Sequence, residues 1–425
     1  MSTEIAVPAP SAGTYRGWWV LSATFACAML VIGATNYAFG LFVVPVQAEF
    51  GLSRAAVNQG MSLFMIGGAL WAPIAGRILD RFPAPLVMTL GGGALGLGMA
   101  GIAASSSLTA IAVALAGPMA LGAMCAGGLA NTTIVSRWFR RRRGRALGIA
   151  TVSSGAGGFV MVQLITALIG RHGWRAALAA TGAIVALGVA ALALGLVRSR
   201  PDEEALERAG EIGPEAEDSA TTERRFRLGE LVRMRNFWCI AFGTGLLMAS
   251  DGALLASKMP YLLGLGIEAQ SASFLIACMT ASSVAGKIGI GLAADRMDLR
   301  RLYGIVAACH VVLLLVLIAE PGYGVLLFAL SLFGVGVGGV YPLLATLTAQ
   351  TFGSASYGSV AGTMQLVALQ PLSIALVTFI GASHDRTGSY TLAFEVFIGL
   401  VFLAGGLIAL VKLPPRVADA RPEVA

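Results

Sequence analysis

Long apolar runs separated by short polar breaks dominate the chain. A helix that crosses a bilayer needs ~20 largely apolar residues. Six runs of that kind fall at 17–46, 56–76, 85–104, 108–134, 146–169 and 174–197, and six more at 237–265, 272–293, 302–318, 323–350, 357–381 and 390–411. Between the sixes lies the one long hydrophilic stretch, Arg198 to Arg235, rich in Asp, Glu and Arg and too polar to bury. The pattern predicts an all-α membrane protein of twelve transmembrane helices: a six-helix bundle over 1–197, a charged linker over 198–235, and a second six-helix bundle with a short tail over 236–425.

Arg and Lys placement orients these helices. Arg54, Arg171, Arg175 and Arg386 lie in one set of alternate loops, whereas Arg16, Arg77, Arg81, Arg137, Arg140 to Arg143, Arg145, Arg296, Arg300, Arg301, the linker and the C-terminal tail fill the other. Positive charge collects on the cytoplasmic side, so both ends are expected inside, with the chain in a cell inner membrane. Met1 to Tyr15 is expected to stay there as a polar tail that is not cleaved. The formal charge of +7 then reflects topology and headgroup attraction rather than nucleic-acid binding. Arg140 to Arg143 read as a membrane anchor.

The halves also echo each other. Gly76-x3-Asp80-Arg81 after the second run recurs as Gly291-x3-Asp295-Arg296 after the eighth, and Gly144-x3-Gly148 opening the fifth recurs as Gly358-x3-Gly362 opening the eleventh. Two marks at nearly one offset indicate a duplicated six-helix unit, and such repeats place a substrate site between the halves near the membrane midplane. Gly76, Asp80, Arg81, Gly291, Asp295 and Arg296 are expected to act as a conformational latch, each carboxylate pairing with Arg of neighbouring helices in one state and releasing it in the other.

Composition agrees. Hydrophobic residues make up 57% of the chain and charged residues 12%, against about 25% charged in soluble domains, and mean hydropathy is +0.80. Cys27, Cys125, Cys239, Cys278 and Cys309 lie in or beside apolar runs without metal-ligand or redox spacing, as packing residues do.

Gly76-Arg77-Ile78-Leu79-Asp80-Arg81-Phe82 resembles the loop signature between helices two and three of the major facilitator superfamily, and Arg143-Gly144-Arg145-Ala146-Leu147-Gly148 its entry to helix five. Gly17-Trp18-Trp19-Val20, Asn36-Tyr37-Ala38-Phe39-Gly40, Trp138-Phe139 followed by four Arg, and Ala285-Gly286-Lys287-Ile288-Gly289-Ile290-Gly291 are similar to monocarboxylate transporters and their bacterial relatives, including oxalate–formate exchangers. The resemblance implies that Lys287 stands where those relatives carry a helix-eight cation that holds the substrate carboxylate. Lys offers a point charge without the bidentate fork of Arg. Departures are also visible: Gly40 and Leu41 stand where animal members carry a helix-one Lys, and Ser283 where they carry an acidic residue.

Few ionisable groups lie inside the runs, and each costs at least ~2.5–3.5 kcal/mol at the membrane centre, which makes it a functional candidate. Lys287 lies ~9 Å from the inner edge as a substrate ligand or a snorkelling lysine. Asp251, ~22 Å deep, is the candidate proton-coupling residue. Lys258 follows two turns along nearly the same face, ~10 Å away, as a possible second cation or an outward snorkel. A lysine that leaves Asp251 for a substrate anion raises the carboxyl's proton affinity, which links the two. Asn36, Tyr37, Asn131, Gln163, Tyr341, Gln365 and Gln370 line the cavity or pack helices. His310 reads as structural and Glu395 as solvated at the outer end.

No Walker-type Gly-Lys-Ser/Thr, metal-ligand spacing or Gly-x-Ser-x-Gly occurs. The expectation is a monomeric, cofactor-free secondary transporter, not an enzyme, moving a small organic anion such as lactate or pyruvate with a proton across the lipid bilayer. Exchange or efflux of another small molecule, and a carboxylate sensor signalling through the linker, are the alternatives.

Overall fold

The computed structural model describes residues 15–52, 54–201, 203–211, 226, 228–320 and 322–413. The N-terminal tail, the middle of the linker and the C-terminal tail, to which the sequence assigns an inside position, lie outside these residues.

Among the described residues the chain forms helices and short connections only, and eleven helices are long and apolar enough to cross a membrane. We label the spans α1 (Arg16–Phe50), α2 (Arg54–Arg81), α3 (Ala84–Ala104), α4 (Leu108–Trp138), α7 (Arg235–Gly264), α8 (Ala269–Ala294), α9 (Leu299–Ile318), α10 (Tyr323–Phe352), α11 (Tyr357–Thr387) and α12 (Thr391–Ala409). The eleventh helix, Arg143–Leu196, holds two spans, α5 (143–172) and α6 (174–196). As one rod its 54 residues would reach ~80 Å, more than twice a hydrocarbon core. At the join Gly173 takes φ +76° and ψ 167°, a backbone open to glycine, and the chain turns back. The Arg198 carbonyl accepts from Trp138 Nε1 at 3.0 Å, so the end of α6 returns to the level at which α5 began. Twelve spans result, as the sequence predicts.

Buried apolar side chains gather in one cluster within α1–α6, which Ala345, Ala349 and Tyr357 join, and in two clusters within α7–α12. These are the two pseudo-symmetric six-helix bundles. They meet most closely at the Arg-rich end, where α2 crosses α11 and α5 crosses α8. The crossings are glycine on glycine: a Cβ on Gly76 would lie 2.0 Å from the Gly358 carbonyl oxygen, and one on Gly144 2.4 Å from that of Gly291. Only backbone fits there.

The glycines and carboxylates expected to form the latch sit on these crossings. Asp80, at the end of α2, accepts from the N–H groups of Gly358 (3.1 Å) and Ser359 (2.7 Å) and from Ser359 Oγ (2.7 Å) at the start of α11. Asp295, just past α8, accepts from the N–H groups of Gly144 (2.6 Å) and Arg145 (3.0 Å) at the start of α5. The first turn of a helix has N–H groups without intrahelical partners and a partial positive charge, and a carboxylate answers both. The sequence expects these carboxylates to pair with Arg of neighbouring helices; each caps a helix of the opposite bundle. Arg137 also pairs with Asp80 at 2.9 Å, both side chains nearly sealed from solvent. Arg81 is exposed and takes no part, because the last turn of α2 points it outward.

The linker folds onto the same end. Glu211 Oε2 accepts from the N–H groups of Arg140 (3.0 Å), Arg141 (2.8 Å) and Arg142 (3.2 Å), so the four-Arg loop is a capped turn as well as a basic one. On the far side Phe226 N–H donates to Ser356 Oγ at 3.0 Å.

Two outcomes follow from the clasp. Asp80→Ala removes the carboxylate paired with the buried Arg137 guanidinium and is expected to cost ~3–5 kcal/mol in unfolding of the detergent-purified protein, while Asp80→Asn, which still accepts hydrogen bonds, costs less. Burial pushes the Asp295 carboxyl above the usual carboxylate range, against the pull of the Arg145 and Gly144 N–H groups and Arg143. Between the usual range and that raised value the closed clasp holds a proton that a solvated Asp295 releases, so acidification favours closure and alkali opposes it. Spin-label distances between exposed positions Arg81 and Arg301, followed from pH 7 to pH 5, should shorten in the wild type and stay flat in Asp295→Asn.

Candidate functional site

Among the described residues three helices carry a π-helical turn: Gly33–Tyr37 in α1, Leu115–Met119 in α4, and Gln365–Leu369 in α11. The α4 turn holds Pro118, whose missing N–H shifts the hydrogen-bond ladder. Such turns re-aim side chains and recur at functional sites. Asn36, Tyr37 and Gln365, read from the sequence as cavity candidates, all lie in them.

Tyr37 and Tyr341 are 49% and 55% exposed although both lie far from their helix ends, which is how a residue facing an internal space reads. The Tyr341 hydroxyl is within electrostatic reach of Asp251 and Tyr37, so α1, α7 and α10 converge there. Tyr37 packs its ring on Gly158 of α5, where a Cβ would lie 2.6 Å from Cδ1. Asn36 is exposed beside it and Asp251 is half-buried. Asp251 makes no hydrogen bond or ion pair among the described residues, in a space where other candidates also keep free polar atoms.

Lys287 projects from α8 at the seam between bundles. Its backbone is gripped from both sides: a Cβ on Gly148 of α5 would lie 2.5 Å from its carbonyl oxygen, and one on Gly338 of α10 3.0 Å from its nitrogen. Small residues bring three helices together there, and the half-buried side chain leans toward the helix N-terminus. Nζ donates to the Thr151 carbonyl at 3.2 Å and to Ser154 Oγ at 2.9 Å, both on α5. Both acceptors are neutral, and among the described residues the ammonium has no carboxylate partner. Counted at 1.5 Å per residue, Ser154 and Tyr341 lie at ~16 Å from the Arg-rich ends of their helices, and Asp251 at ~24 Å.

Lys258 lies elsewhere. It is 4% exposed, donates to Met279 Sδ at 3.0 Å and stands 4.5 Å from the Phe333 ring centroid. It faces the interior of the second bundle between α8 and α10, and neither snorkels outward nor ion-pairs with Asp251. Two turns along α7 the stripe bearing Asp251 has passed from the seam into that interior. Its neighbour His310 is buried, with Nδ1 2.9 Å from the Val306 carbonyl and its ring 4.7 Å from that of Phe333.

Asn131 is 2% exposed and donates to the Ala150 carbonyl at 2.9 Å, joining α4 to α5 inside the first bundle rather than lining the seam. Gln365 and Gln370 are half-buried without a side-chain hydrogen bond among the described residues, and Gln163 is exposed. A cavity of about 360 Å³ opens within the first bundle, lined by Phe39, Val43, Leu63, Leu115, Met119 and Trp174; it is apolar and holds none of the ionisable candidates.

Thr151, Ser154, Arg137 and Ser359 escaped the sequence reading. A signal existed for the first two: they extend the stripe of Gly144 and Gly148 at helical spacing, and that stripe faces α8.

Similarity to known proteins agrees with this architecture. The family model for the Major Facilitator Superfamily matches residues 24–378. Monocarboxylate transporter 13 of Bos taurus is 27% identical over 415 residues, covering 94% of this chain and 89% of that protein. An oxalate:formate antiporter of Oxalobacter formigenes is 24% identical over 349 residues, covering 81% and 80%. The Fujikurins efflux protein of Gibberella fujikuroi is 26% identical, covering 94% and 83%. Among solved structures, a proton:xylose symporter superimposes with a TM-score of 0.75 at 14% identity, over 94% of this chain and 96% of that one. A family match across most of the chain, joined to twelve spans in two clasped bundles, makes this protein a member of the Major Facilitator Superfamily and a multi-pass membrane transporter.

Proposed function

We propose that the protein moves a small organic anion of the monocarboxylate class together with a proton by alternating access, with Lys287 as the anion ligand. The observation that carries this reading is the Lys287 ammonium at the seam, held by two neutral oxygens and by no carboxylate. A positive charge kept in an apolar bundle without a counter-ion is costly, and a substrate carboxylate supplies the counter-ion. Lys258, turned into the second bundle, gives the seam no second positive charge, which favours substrates with one negative charge.

Tyr37 and Tyr341 offer phenolic donors from opposite bundles, with Asn36, Gln365 and Gln370 beside them. Asp251 provides the coupling. A bare carboxylate near an anion opposes its binding, whereas a protonated one donates a hydrogen bond, so proton and substrate load together. This replaces the lysine exchange that the sequence suggests, because Asp251 has no lysine in contact. The latch at Gly76, Asp80, Gly291 and Asp295 sets the rate of bundle rocking. The Arg-rich end lies in the cytoplasm of a cell whose inner membrane holds the protein as a monomer.

Exchange remains the second reading, supported by the antiporter relative: a carrier whose ammonium needs an anion in order to cross runs as an exchanger. Two measurements separate these cases. A carboxylate at ten times its dissociation constant stabilises the purified protein by ~1.4 kcal/mol; among mono- and dicarboxylates, sugars and cationic drugs, only monocarboxylates should do so, and Lys287→Gln should abolish the effect. Stabilisation by cationic drugs, or equal stabilisation of both proteins, removes the anion site. In proteoliposomes Asp251→Asn should keep exchange of labelled for unlabelled anion and lose uptake driven by a pH gradient; retained proton-driven uptake removes Asp251 from the coupling.

A further inference from the structure

Lys287 is one of three lysines in the chain, with Lys258 and Lys412, and its side chain reaches across the bundle seam. Its two acceptors are arranged as a pair. Ser154 Oγ donates its own hydrogen to the Thr151 carbonyl at 3.0 Å, so its lone pairs are left for the ammonium, which it accepts at 2.9 Å. The Thr151 carbonyl accepts from the same ammonium at 3.2 Å. Two oxygens on one nitrogen reproduce what a carboxylate presents to it. They also belong to the other bundle, next to the Gly148 contact that closes the seam.

We propose that Thr151 and Ser154 form a built-in stand-in for the substrate carboxylate, tethering Lys287 to α5 in the empty carrier. The proposal rests on Lys287 as the anion ligand. Substrate binding is then an exchange of partners: the arriving carboxylate takes the ammonium, α5 loses its donor, and both hydrogen bonds across the seam are released. The tether keeps the lone ammonium satisfied when no anion is bound, and makes opening of the seam depend on the substrate. It opposes binding, since each anion must displace it.

Modification of the three lysines by an amine acylating reagent, mapped by mass spectrometry on the full-length, detergent-purified protein, tests this without a known substrate. In Ser154→Ala the freed Lys287 should react about threefold faster than in wild type, with Lys412 unchanged as internal control. Ser154→Thr, which keeps the hydroxyl, should react as wild type does. Equal Lys287 rates in wild type and Ser154→Ala overturn the tether, as does a rise at Lys412 of the same size, which marks general loosening. Lactate, pyruvate and formate added to the same reaction test the parent reading separately. If none protects Lys287 in either protein, the anion site fails while the tether result stands. If they protect, half-protection in Ser154→Ala should need several-fold less anion; a need for more would make Ser154 a positioning residue and end the stand-in proposal.

Discussion

Everything at the seam depends on helix N-termini that cannot complete themselves. The starts of α5 and α11 have no side-chain cap of their own: Arg142 and Ser356 hold the cap positions without a capping hydrogen bond. The orphan N–H groups are answered by Asp295 and Asp80 from the opposite bundle. A helix end left without partners in an apolar setting is costly, so the ends hold the bundles together. When the bundles part, water can take over the same N–H groups and carboxylates, because the seam lies at the Arg-rich end where polar chain emerges. The free-energy difference between clasped and open is therefore modest, as a reversible gate requires. The glycine crossings add to this, since backbone on backbone gives close approach without side chains that must rearrange.

The same constraint, that polar groups inside the membrane need partners, explains why Lys258 and Lys287 behave differently. Lys258 satisfies its ammonium with a thioether and an aromatic face, soft partners that fit a packed interior and leave no room for a ligand. Lys287 has oxygen partners on a helix of the other bundle. One is stored within a bundle and the other is spread across the seam between bundles. In the proposed cycle only a charge in the second position can respond to movement of the bundles.

How much of this the sequence shows differs with the question. Twelve spans, the central break and the latch motifs are legible because they are written as long contrasts: apolar against polar, and one offset repeated. Depth along a helix is legible by counting. Rotation about the helix axis is not, and there the reading slipped. Helices such as α4 and α10 are largely apolar or small all round, so no polar face fixes their phase, and Asn131 and Tyr341 look alike in sequence. In the structure Asn131 is sealed against α5 while Tyr341 opens to the seam. Arg81 and Arg137 reverse in the same way: the motif contains the first, but the carboxylate finds the second, which is remote in sequence and brought close by α4.

The repeat supplies a last argument about where chemistry can reside. Moving back by the offset of the latch motifs, 215 residues for Asp295 to Asp80, Lys287 meets Ala72 and Asp251 meets Asn36. The scaffold around the first pair is retained: Gly362 approaches the Ala72 carbonyl as Gly148 approaches that of Lys287, with a Cβ contact of 2.2 Å in one case and 2.5 Å in the other. Thr151 and Ser154 correspond, at 214 residues, to Gln365 and Ala368, and the counterpart of Lys287, Ala72, has no side-chain donor. Duplication thus built two similar crossings, each with its capping carboxylate, and left a lysine in one. A rocking motion needs the symmetry, because both seams must open and close by similar geometry. A single anion needs the asymmetry, because a second lysine at position 72 would demand a second counter-ion. On the proposed reading, the absence of lysine from the first bundle serves the site as well: it keeps the number of ammonium groups at the two seams at one.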